Sequence, residues 1–388
     1  MPFITAQRIH NGHHWLPEGS VIAVSPHGEI LFITDEPNKD AIFYNGVLTP
    51  GLVNVHCHLE LSHMKGAVPE HTGLIPFLEA IPQNRNKYTD DQKRDARYAA
   101  YNELLQNGVV AVGDIANTTD TLDLRTQGLL HFYTFVEAIG FTTANAQRSF
   151  GYAQQSYQAF AEQQKGDTIL RETIVPHAPY SVSAALFALI DAHLPGAPIS
   201  IHNQESHEEN KFYQTKEGDV RRLLKTLGID DAEFIPSGRT SIATYLDWLV
   251  QNHPFIFVHN THTSAADVQL AQQRIAELYW CLCPNANLYI ENTLPDVDML
   301  IAQDARLCIG TDSLASNHQL SIMAELHTLK QRHPHLPWET LLTWATNNGA
   351  CALQMQHTLG TIEPGKKPGI LQLTGLDGVA VPAVKRLY

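Results

Sequence analysis

Eight short apolar runs recur along the chain, and segments with the apolar spacing of amphipathic helices lie between them. This alternation is typical of a parallel α/β architecture, in which each buried strand is followed by a covering helix. Eight strand–helix units predict a closed (β/α)8 TIM barrel. The predicted strands are residues 52–56, 109–115, 132–137, 172–177, 198–202, 255–259, 279–283 and 307–312. The predicted helices include residues 90–107, 183–193, 240–252 and 265–277.

An open, doubly wound sheet is the alternative that the same alternation allows. Folds of that kind that bind dinucleotides carry a Gly-x-Gly-x-x-Gly turn after an early strand. No such turn follows any early apolar run here, so dinucleotide binding lacks its usual sequence support.

The two ends of the chain have a different pattern. Short β-like runs at residues 20–24 and 29–34 flank a Pro-His-Gly turn, and residues 360–373 return to a turn followed by a strand. We expect these ends to pair as one small β domain made of residues 1–46 and 360–388, with residues 47–359 forming the barrel.

Composition limits the classes of partner. The 388 residues are 44% hydrophobic, and 40 acidic against 26 basic residues give a formal net charge of −14 without a basic block. This balance argues against nucleic acid as a partner.

No apolar stretch approaches the roughly 18 residues that span a bilayer, and no signal-peptide pattern opens the chain. Five cysteines without framework spacing suggest reduced thiols. We therefore expect a cytoplasmic protein with a small-molecule substrate and no membrane partner, and homo-oligomerisation is left open.

The chain contains 21 histidines, an excess that suggests metal or proton chemistry. Several lie beside turn residues or in polar stretches and are expected at the surface. These are His13, His14, His131, His253, His333 and His335. Cys281 and Cys283 lie in a hydrophobic run, so we interpret them as buried thiols and not as metal ligands.

Polar side chains end several of the predicted strands. They are His56 and His58 at the first strand, His177 at the fourth, His202 at the fifth, His259 at the sixth and Asp312 at the eighth. Catalytic groups of a (β/α)8 barrel stand at the C-terminal ends of its strands, so these side chains should meet at one rim. Imidazoles with a carboxylate suit zinc or ferrous iron, and such a metal lowers the pKa of a bound water to about 7. The set therefore predicts metal-assisted hydrolysis.

These motifs together resemble the amidohydrolase superfamily, and within it the cytosine, guanine and S-adenosylhomocysteine deaminase-like branch. The matching segments are PGLVNVHCH at 50–58, HAPYSVS at 177–183, IHNQE at 201–205, VH at 258–259, CPNANL at 283–288 and GTDSLASN at 310–317. They run in the order of the family, and the terminal β segments resemble its composite β-sandwich domain.

The resemblance implies a mononuclear metal site. Its metal ligands would be His56, His58, His202 and Asp312, with water completing the shell. The ion would be Zn²⁺, with Fe²⁺ as the alternative. Binuclear members carry a bridging lysine at the end of the fourth strand, and residues 175–183 contain no lysine.

Three further side chains take roles by the same resemblance. His259 would orient or polarise the metal-activated water, and His177 would contact the substrate. Glu205 would protonate a ring nitrogen and shuttle the proton of the water, with Asp312 as a second proton carrier. Attack on an amidine-like carbon builds charge on the adjacent ring nitrogen, and a positioned acid relieves it. The alternative is that Glu205 is a solvated loop carboxylate beside Glu208 and Glu209.

Glu60 belongs to the segment HLELS at 58–62, which resembles aminodeoxyfutalosine deaminase-like members. It would receive ribose hydroxyls or a ring amine of the substrate, or else it is a helix-start carboxylate without a substrate role. The predicted function is a metal-dependent aminohydrolase acting on an aminopurine or aminonucleoside-like heterocycle. The alternatives are hydrolysis of a cyclic amide or a chlorinated ring on the same scaffold, and a non-catalytic binding protein.

Overall fold

The computed structural model describes residues 2–163 and 166–388. Within these ranges the strands are β1 (Phe3–Ile9), β2 (Val21–Val24), β3 (Ile30–Thr34), β4 (Ile42–Pro50), β5 (Leu52–Cys57), β6 (Val109–Ala116), β7 (His131–Ala138), β8 (Leu170–Pro176), β9 (Ile199–Asn203), β10 (Phe255–His259), β11 (Leu278–Leu282), β12 (Leu307–Ile309), β13 (Ile370–Thr374) and β14 (Ala383–Arg386).

The α-helices of the same ranges are α1 (Leu74–Arg85), α2 (Asp90–Gln106), α3 (Leu122–Arg125), α4 (Ala146–Ala161), α5 (Ala184–His193), α6 (His207–Thr215), α7 (Asp219–Thr226), α8 (Ser241–Tyr245), α9 (Ala265–Arg274), α10 (Pro284–Glu291), α11 (Val297–Ala302), α12 (Ile322–Arg332), α13 (Trp338–Thr343) and α14 (Gly349–Ala352). Short 3₁₀ turns occupy Leu59–Met64, Thr143–Asn145, Pro179–Ser181 and Leu246–Trp248, and a π-helical turn occupies Trp344–Asn348.

All eight predicted barrel strands are present, and they form two parallel sheets of four strands. One sheet has the order β5-β6-β7-β8 and the other the order β12-β11-β10-β9. Three strands end earlier than predicted, so His177, Cys283 and Asp312 lie just beyond β8, β11 and β12. The fold is therefore α/β with parallel sheets.

Backbone hydrogen bonds connect the two parallel sheets at two seams. Between β8 and β9, the N–H of His202 donates to the carbonyl of His177 at 3.0 Å. Between β12 and β5, the N–H groups of Thr311 and Asp312 both donate to the carbonyl of His56 at 3.0 Å. Each seam therefore places two of the predicted site residues side by side through the main chain.

The parallel strands are buried on both faces, as sheets covered by helices require. In β10, Phe255 and Phe257 pack in a core cluster that includes residues of the helices. Ile256 and Val258 alternate with them and enter a second cluster, to which strands of both parallel sheets contribute. The period-2 alternation of side chains thus joins the two sheets through a shared interior.

The six-stranded sheet has the order β14-β13-β4-β1-β2-β3, which confirms that the C-terminal tail pairs with the N-terminal strands. β13 pairs antiparallel with β4, with Leu373 opposite Val47. The predicted hairpin is β2 and β3, and Gly28 in its turn has a φ of 78°, a value that favours glycine. β4 continues to Pro50, past residue 46, and β5 begins after a single residue, Gly51.

The predicted helix over residues 240–252 is wrong in its second half. α8 covers only Ser241–Tyr245, and the 3₁₀ turn Leu246–Trp248 follows it. The Asp191 carboxylate accepts hydrogen bonds from the backbone N–H groups of Val250 and Gln251, at 3.1 and 3.0 Å. These side-chain bonds from α5 compete with the helical ones, so the helix ends before them.

His253 corrects a second expectation, because it is buried and not at the surface. Its Nδ1 lies 2.9 Å from the carbonyl oxygen of Ala197, and its Nε2 lies 2.8 Å from that of Asp191. The ring therefore connects the end of α5 to the loop before β10. Of the other histidines expected at the surface, His13, His14 and His335 are exposed, and His131 and His333 are partly buried.

The five cysteines are free thiols, and Cys281 and Cys283 are buried as expected. Among the helices of the described residues, none combines the length and the apolar character that crossing a bilayer requires.

We predict that Gly310→Ala disturbs the seam between β12 and β5. A Cβ atom at residue 310 would lie 2.8 Å from His56 Cβ, 2.9 Å from His56 O and 3.0 Å from Cys281 Sγ. Overpacking of this kind lowers the free energy of unfolding by about 1–3 kcal/mol, which urea denaturation would measure. The control is Gly151→Ala in α4, where a Cβ meets no atom within 4 Å and the variant should be no less stable. Equal stability of the two variants would contradict the packing argument.

Candidate active site

Five predicted site residues meet where the parallel strands end. His56 and His58 lie at the end of β5, His202 in β9, His259 in β10 and Asp312 beyond β12. Nε2 of His58 lies 3.1 Å from Nε2 of His56 and 3.3 Å from Oδ1 of Asp312, and His56 Nε2 lies 3.6 Å from the same oxygen. Donor atoms of His56, His202, His259 and Asp312 lie within 4.8 Å of one another. All five residues are buried.

Two of these residues have a backbone conformation that non-glycine residues rarely adopt. The φ angles of His259 and Asp312 are 72° and 57°. Hydrogen bonds hold the chain there, since the Asp312 N–H donates to His56 O and the Asn317 side chain donates to Thr311 O. Backbone outliers of this kind cluster at functional sites, where the surrounding structure over-determines them.

The donor set fits a divalent cation. His202 Nδ1 lies 2.8 Å from the carbonyl oxygen of His177, so the ring hydrogen resides there and Nε2 keeps its lone pair. Ser316 donates to Oδ2 of Asp312 at 2.5 Å, which leaves Oδ1 facing the imidazoles. Each neutral imidazole has one ring hydrogen, and when it lies on Nδ1 the Nε2 lone pairs of His56 and His58 are free to bind a cation.

Burial sets the protonation state that a metal site needs. It lowers the pKa of His58 to about 3, although the nearby Asp312 carboxylate raises it. Burial also lowers the pKa of His202 well below its ordinary value. For Asp312, burial raises the pKa, but the His56 hydrogen bond and the neighbouring His58 and His259 outweigh it and lower the pKa. Neutral imidazoles and an ionised carboxylate are the ligand forms that zinc or ferrous iron requires.

Glu205 lies beside this cluster, on the loop between β9 and α6. Its Oε1 is 3.6 Å from His259 Nε2, and only 5% of the residue is exposed, so it is not a solvated loop carboxylate. Burial, followed by the negative charges of Asp312 and Glu209, raises its pKa well above the ordinary value. A carboxylic acid in this state can donate a proton near neutral pH.

Glu209 holds the loop that carries Glu205. Its carboxylate accepts hydrogen bonds from the Gln204 N–H at 3.0 Å and from the Ser241 hydroxyl. Glu209 is fully buried, whereas the neighbouring Glu208 is partly exposed and accepts a bond from the N–H of Asp219. Glu205 on the loop and the two glutamates in the first turn of α6 therefore have three different environments.

His177 lies next to the cluster, with its ring centroid 4.9 Å from that of His202. Its Nδ1 is 2.9 Å from the Ser181 hydroxyl oxygen, which leaves Nε2 toward the cavity that the ring lines. Burial lowers its pKa to about 4, so the ring is neutral.

Glu60 lines the same cavity, but donors already surround its carboxylate. Arg85 donates to Oε1 at 3.0 Å. Oε2 accepts from the N–H groups of Asn117 and Thr118 at 3.0 Å and from the Thr118 hydroxyl at 2.9 Å. These bonds connect the 3₁₀ turn after β5 to α1 and to the loop after β6.

Glu137 is a cavity residue that the sequence reasoning missed. Its Oε2 accepts a bond from the Asn117 side chain at 2.8 Å, and its Oε1 lies 3.4 Å from His202 Nδ1. Burial raises its pKa to about 8. The signal was available, because Glu137 ends an apolar run in the same way as the histidines do.

The cavity has a volume of about 470 Å³ and two chemically different parts. One part contains the histidine cluster, Glu205 and Asp312. Apolar side chains of α1 and α7, among them Phe77 and Leu223, line the other. A ligand that fills it therefore presents polar atoms to the cluster and apolar surface to the helices.

The sequence is similar to known deaminases. An adenosine deaminase of Helicobacter pylori is 26% identical over 340 residues, which cover 85% of this chain and 79% of that protein. An aminodeoxyfutalosine deaminase of Nitratiruptor sp. is 25% identical over 331 residues, which cover 83% of this chain and 77% of that protein.

Solved structures show the same fold. The aminofutalosine deaminase of Helicobacter pylori, solved with methylthio-coformycin, aligns with a TM-score of 0.79 at 21% identity over 96% of this chain and 92% of that one. A Xanthomonas campestris adenosine deaminase with bound zinc aligns with a TM-score of 0.71 at 23% identity, over 96% and 84% of the two chains. A sequence model of the amidohydrolase family matches residues 47–377. The chain therefore belongs to the amidohydrolase family.

Proposed function

We propose that this amidohydrolase is a metal-dependent deaminase of an aminopurine or aminonucleoside-like heterocycle. The observation that carries the proposal is the buried acid Glu205, 3.6 Å from His259, whose ring belongs to a group with His56, His202 and Asp312 that could hold a metal ion. The deaminases of similar sequence support it. We further propose that the parallel strands close into a (β/α)8 barrel of residues 47–359, and that residues 1–46 and 360–388 form a composite β-sandwich domain.

In this proposal His56, His58, His202 and Asp312 hold one divalent cation. When bound, the cation supplies a water whose pKa is lowered to about 7. We propose zinc, with ferrous iron as the alternative that the same donors accept. The similar fold of a deaminase solved with zinc supports this choice.

Each residue around the cation then has a separate role in orienting the water or transferring a proton. Burial lowers the pKa of His259 to about 4, so its neutral ring accepts a hydrogen bond from the water and orients it. Glu205 protonates the ring nitrogen next to the carbon under attack. Asp312 carries a proton to the exocyclic nitrogen. One C–O bond forms, the exocyclic C–N bond breaks, and water and substrate become the hydroxylated ring and ammonia.

The cavity supports a substrate larger than a free base. The aminoheterocycle of the substrate occupies the polar part of the cavity, where His177 contacts its ring. The apolar part accommodates a substituent such as the one a nucleoside carries at its sugar, and burial of apolar surface there strengthens binding. The free thiols of the chain support a cytoplasmic location.

We predict that Glu205→Gln lowers kcat for ammonia release by about 10²–10⁴-fold, because Gln cannot deliver the proton to the ring nitrogen. The bound metal should stay at the wild-type level, since the carboxylate is not among the proposed ligands. The assay would measure ammonia from adenosine, methylthioadenosine, aminodeoxyfutalosine, guanine and cytosine, with metal analysis of the same samples.

The matched control is Glu208→Gln, which changes a partly exposed carboxylate in the first turn of α6 and should retain full turnover. Wild-type turnover in Glu205→Gln would contradict the proton-transfer role. Bound metal without ammonia from any of the five compounds would instead favour hydrolysis of a cyclic amide or a chlorinated ring.

Glu60→Gln distinguishes the two roles considered for Glu60. We predict a loss of about 1.5–3 kcal/mol in the free energy of unfolding. The amide has no negative charge for Arg85, and its NH₂ group cannot accept the hydrogen bonds that the Glu60 carboxylate accepts from Asn117 and Thr118. KM for the best substrate should change little. Exposed Glu18→Gln is the control for stability. A fully stable Glu60→Gln enzyme with a tenfold higher KM would assign Glu60 to the substrate hydroxyls.

A further inference from the structure

A second group of metal-type donors lies outside the active site, where α11 approaches the end of α12. It consists of Asp298 in α11 and of His333 and His335 just after α12. His335 Nε2 lies 2.9 Å from Asp298 Oδ1, and His333 Nδ1 lies 3.3 Å from Oδ2. The three donor atoms lie within 4.8 Å of one another. We call this group the α11–α12 cluster.

The chain holds the two histidines in place before any ligand arrives. The His333 N–H donates to Leu329 O at 2.7 Å, and the Leu336 N–H donates to His333 O at 3.0 Å. The ammonium group of Lys330 donates to the carbonyls of Pro334 and Leu336 at 2.7 and 2.6 Å. Pro334 restricts the backbone between the two rings. Ordering this turn therefore adds little to the entropic cost of binding.

The spacing of the α11–α12 cluster resembles that of the active site. The ring centroids of His333 and His335 are 5.9 Å apart. In the active site the ring centroids of His56 and His58 are 4.9 Å apart, and those of His58 and His202 are 5.4 Å apart. Zinc bound by nitrogen and oxygen at 2.0–2.2 Å in tetrahedral geometry separates its donor atoms by about 3.3 Å. The observed imidazole–carboxylate distances of 2.9 and 3.3 Å lie near this value.

The geometry points to a second zinc site in the α11–α12 cluster, with Asp298, His333 and His335 as ligands and water in the remaining position. Two imidazoles and one carboxylate select zinc over magnesium, which prefers oxygen ligands. The cluster is open to solvent, since 61% of the His335 side chain and 56% of the Asp298 side chain are exposed. Zinc bound here connects α11 to α12 and stabilises the folded chain by mass action.

The test measures zinc per chain in the holoenzyme, purified without a histidine tag and dialysed against zinc. Asp298→Asn and the double variant His333→Gln/His335→Gln should each contain one zinc fewer per chain than the wild type. The control His327→Gln changes a histidine of α12 outside the cluster and should keep the wild-type content. Added zinc should raise the Tm of the wild type and of His327→Gln, and should not raise that of the two cluster variants.

Equal zinc content in the wild type and Asp298→Asn would overturn the proposal and leave a hydrogen-bonded Asp–His pair at this position. Displacement of the additional zinc by an equal concentration of magnesium would overturn it as well. Neither outcome bears on the deaminase proposal, because Asp298 takes no part in it and Asp298→Asn should release ammonia at the wild-type rate.

Discussion

The active site depends on the convergence of several imidazoles and one carboxylate in a buried space. The Nε2 atoms of His56 and His58 lie 3.1 Å apart, and the Asp312 carboxylate faces both. Burial keeps His58 neutral, because the charged form loses its hydration inside the protein. A divalent cation satisfies all of these groups at once. Backbone hydrogen bonds at the two seams hold this arrangement in place. They connect His56 to Asp312 and His177 to His202.

The carboxylates in and near the cavity differ in the hydrogen bonds that they accept. Glu60 accepts four hydrogen bonds and Glu209 accepts two, and both anchor loops. Among the residues that the structure describes, none donates a hydrogen bond to the Glu205 carboxylate, which lies 3.6 Å from His259. Burial raises the pKa of Glu205 well above its ordinary value, and a nearby divalent cation would lower it again. An acid whose pKa lies near the working pH transfers protons in both directions, as a deamination requires.

The strands and the convergence of the polar residues that follow them could be predicted because both rest on local patterns. A polar residue that ends an apolar run is visible in the sequence, and parallel strands bring such residues to one edge. Contacts between distant segments could not be predicted in this way. The Asp191 side chain, on another helix, binds the backbone N–H of Val250, where the predicted helix has already ended. The carbonyls of Asp191 and Ala197 lie within hydrogen-bond distance of the buried His253 ring. The partners of Glu60 lie on α1 and after β6, so no local pattern showed that its oxygens are occupied.

We expect one cation among His56, His58, His202 and Asp312. X-ray diffraction from crystals of the active enzyme, collected on both sides of the zinc absorption edge, would locate it. A single anomalous peak should lie inside the cavity, within coordination distance of all four side chains. Two peaks in the cavity, or none near the Asp312 carboxylate in an enzyme that releases ammonia, would rule out this mononuclear site.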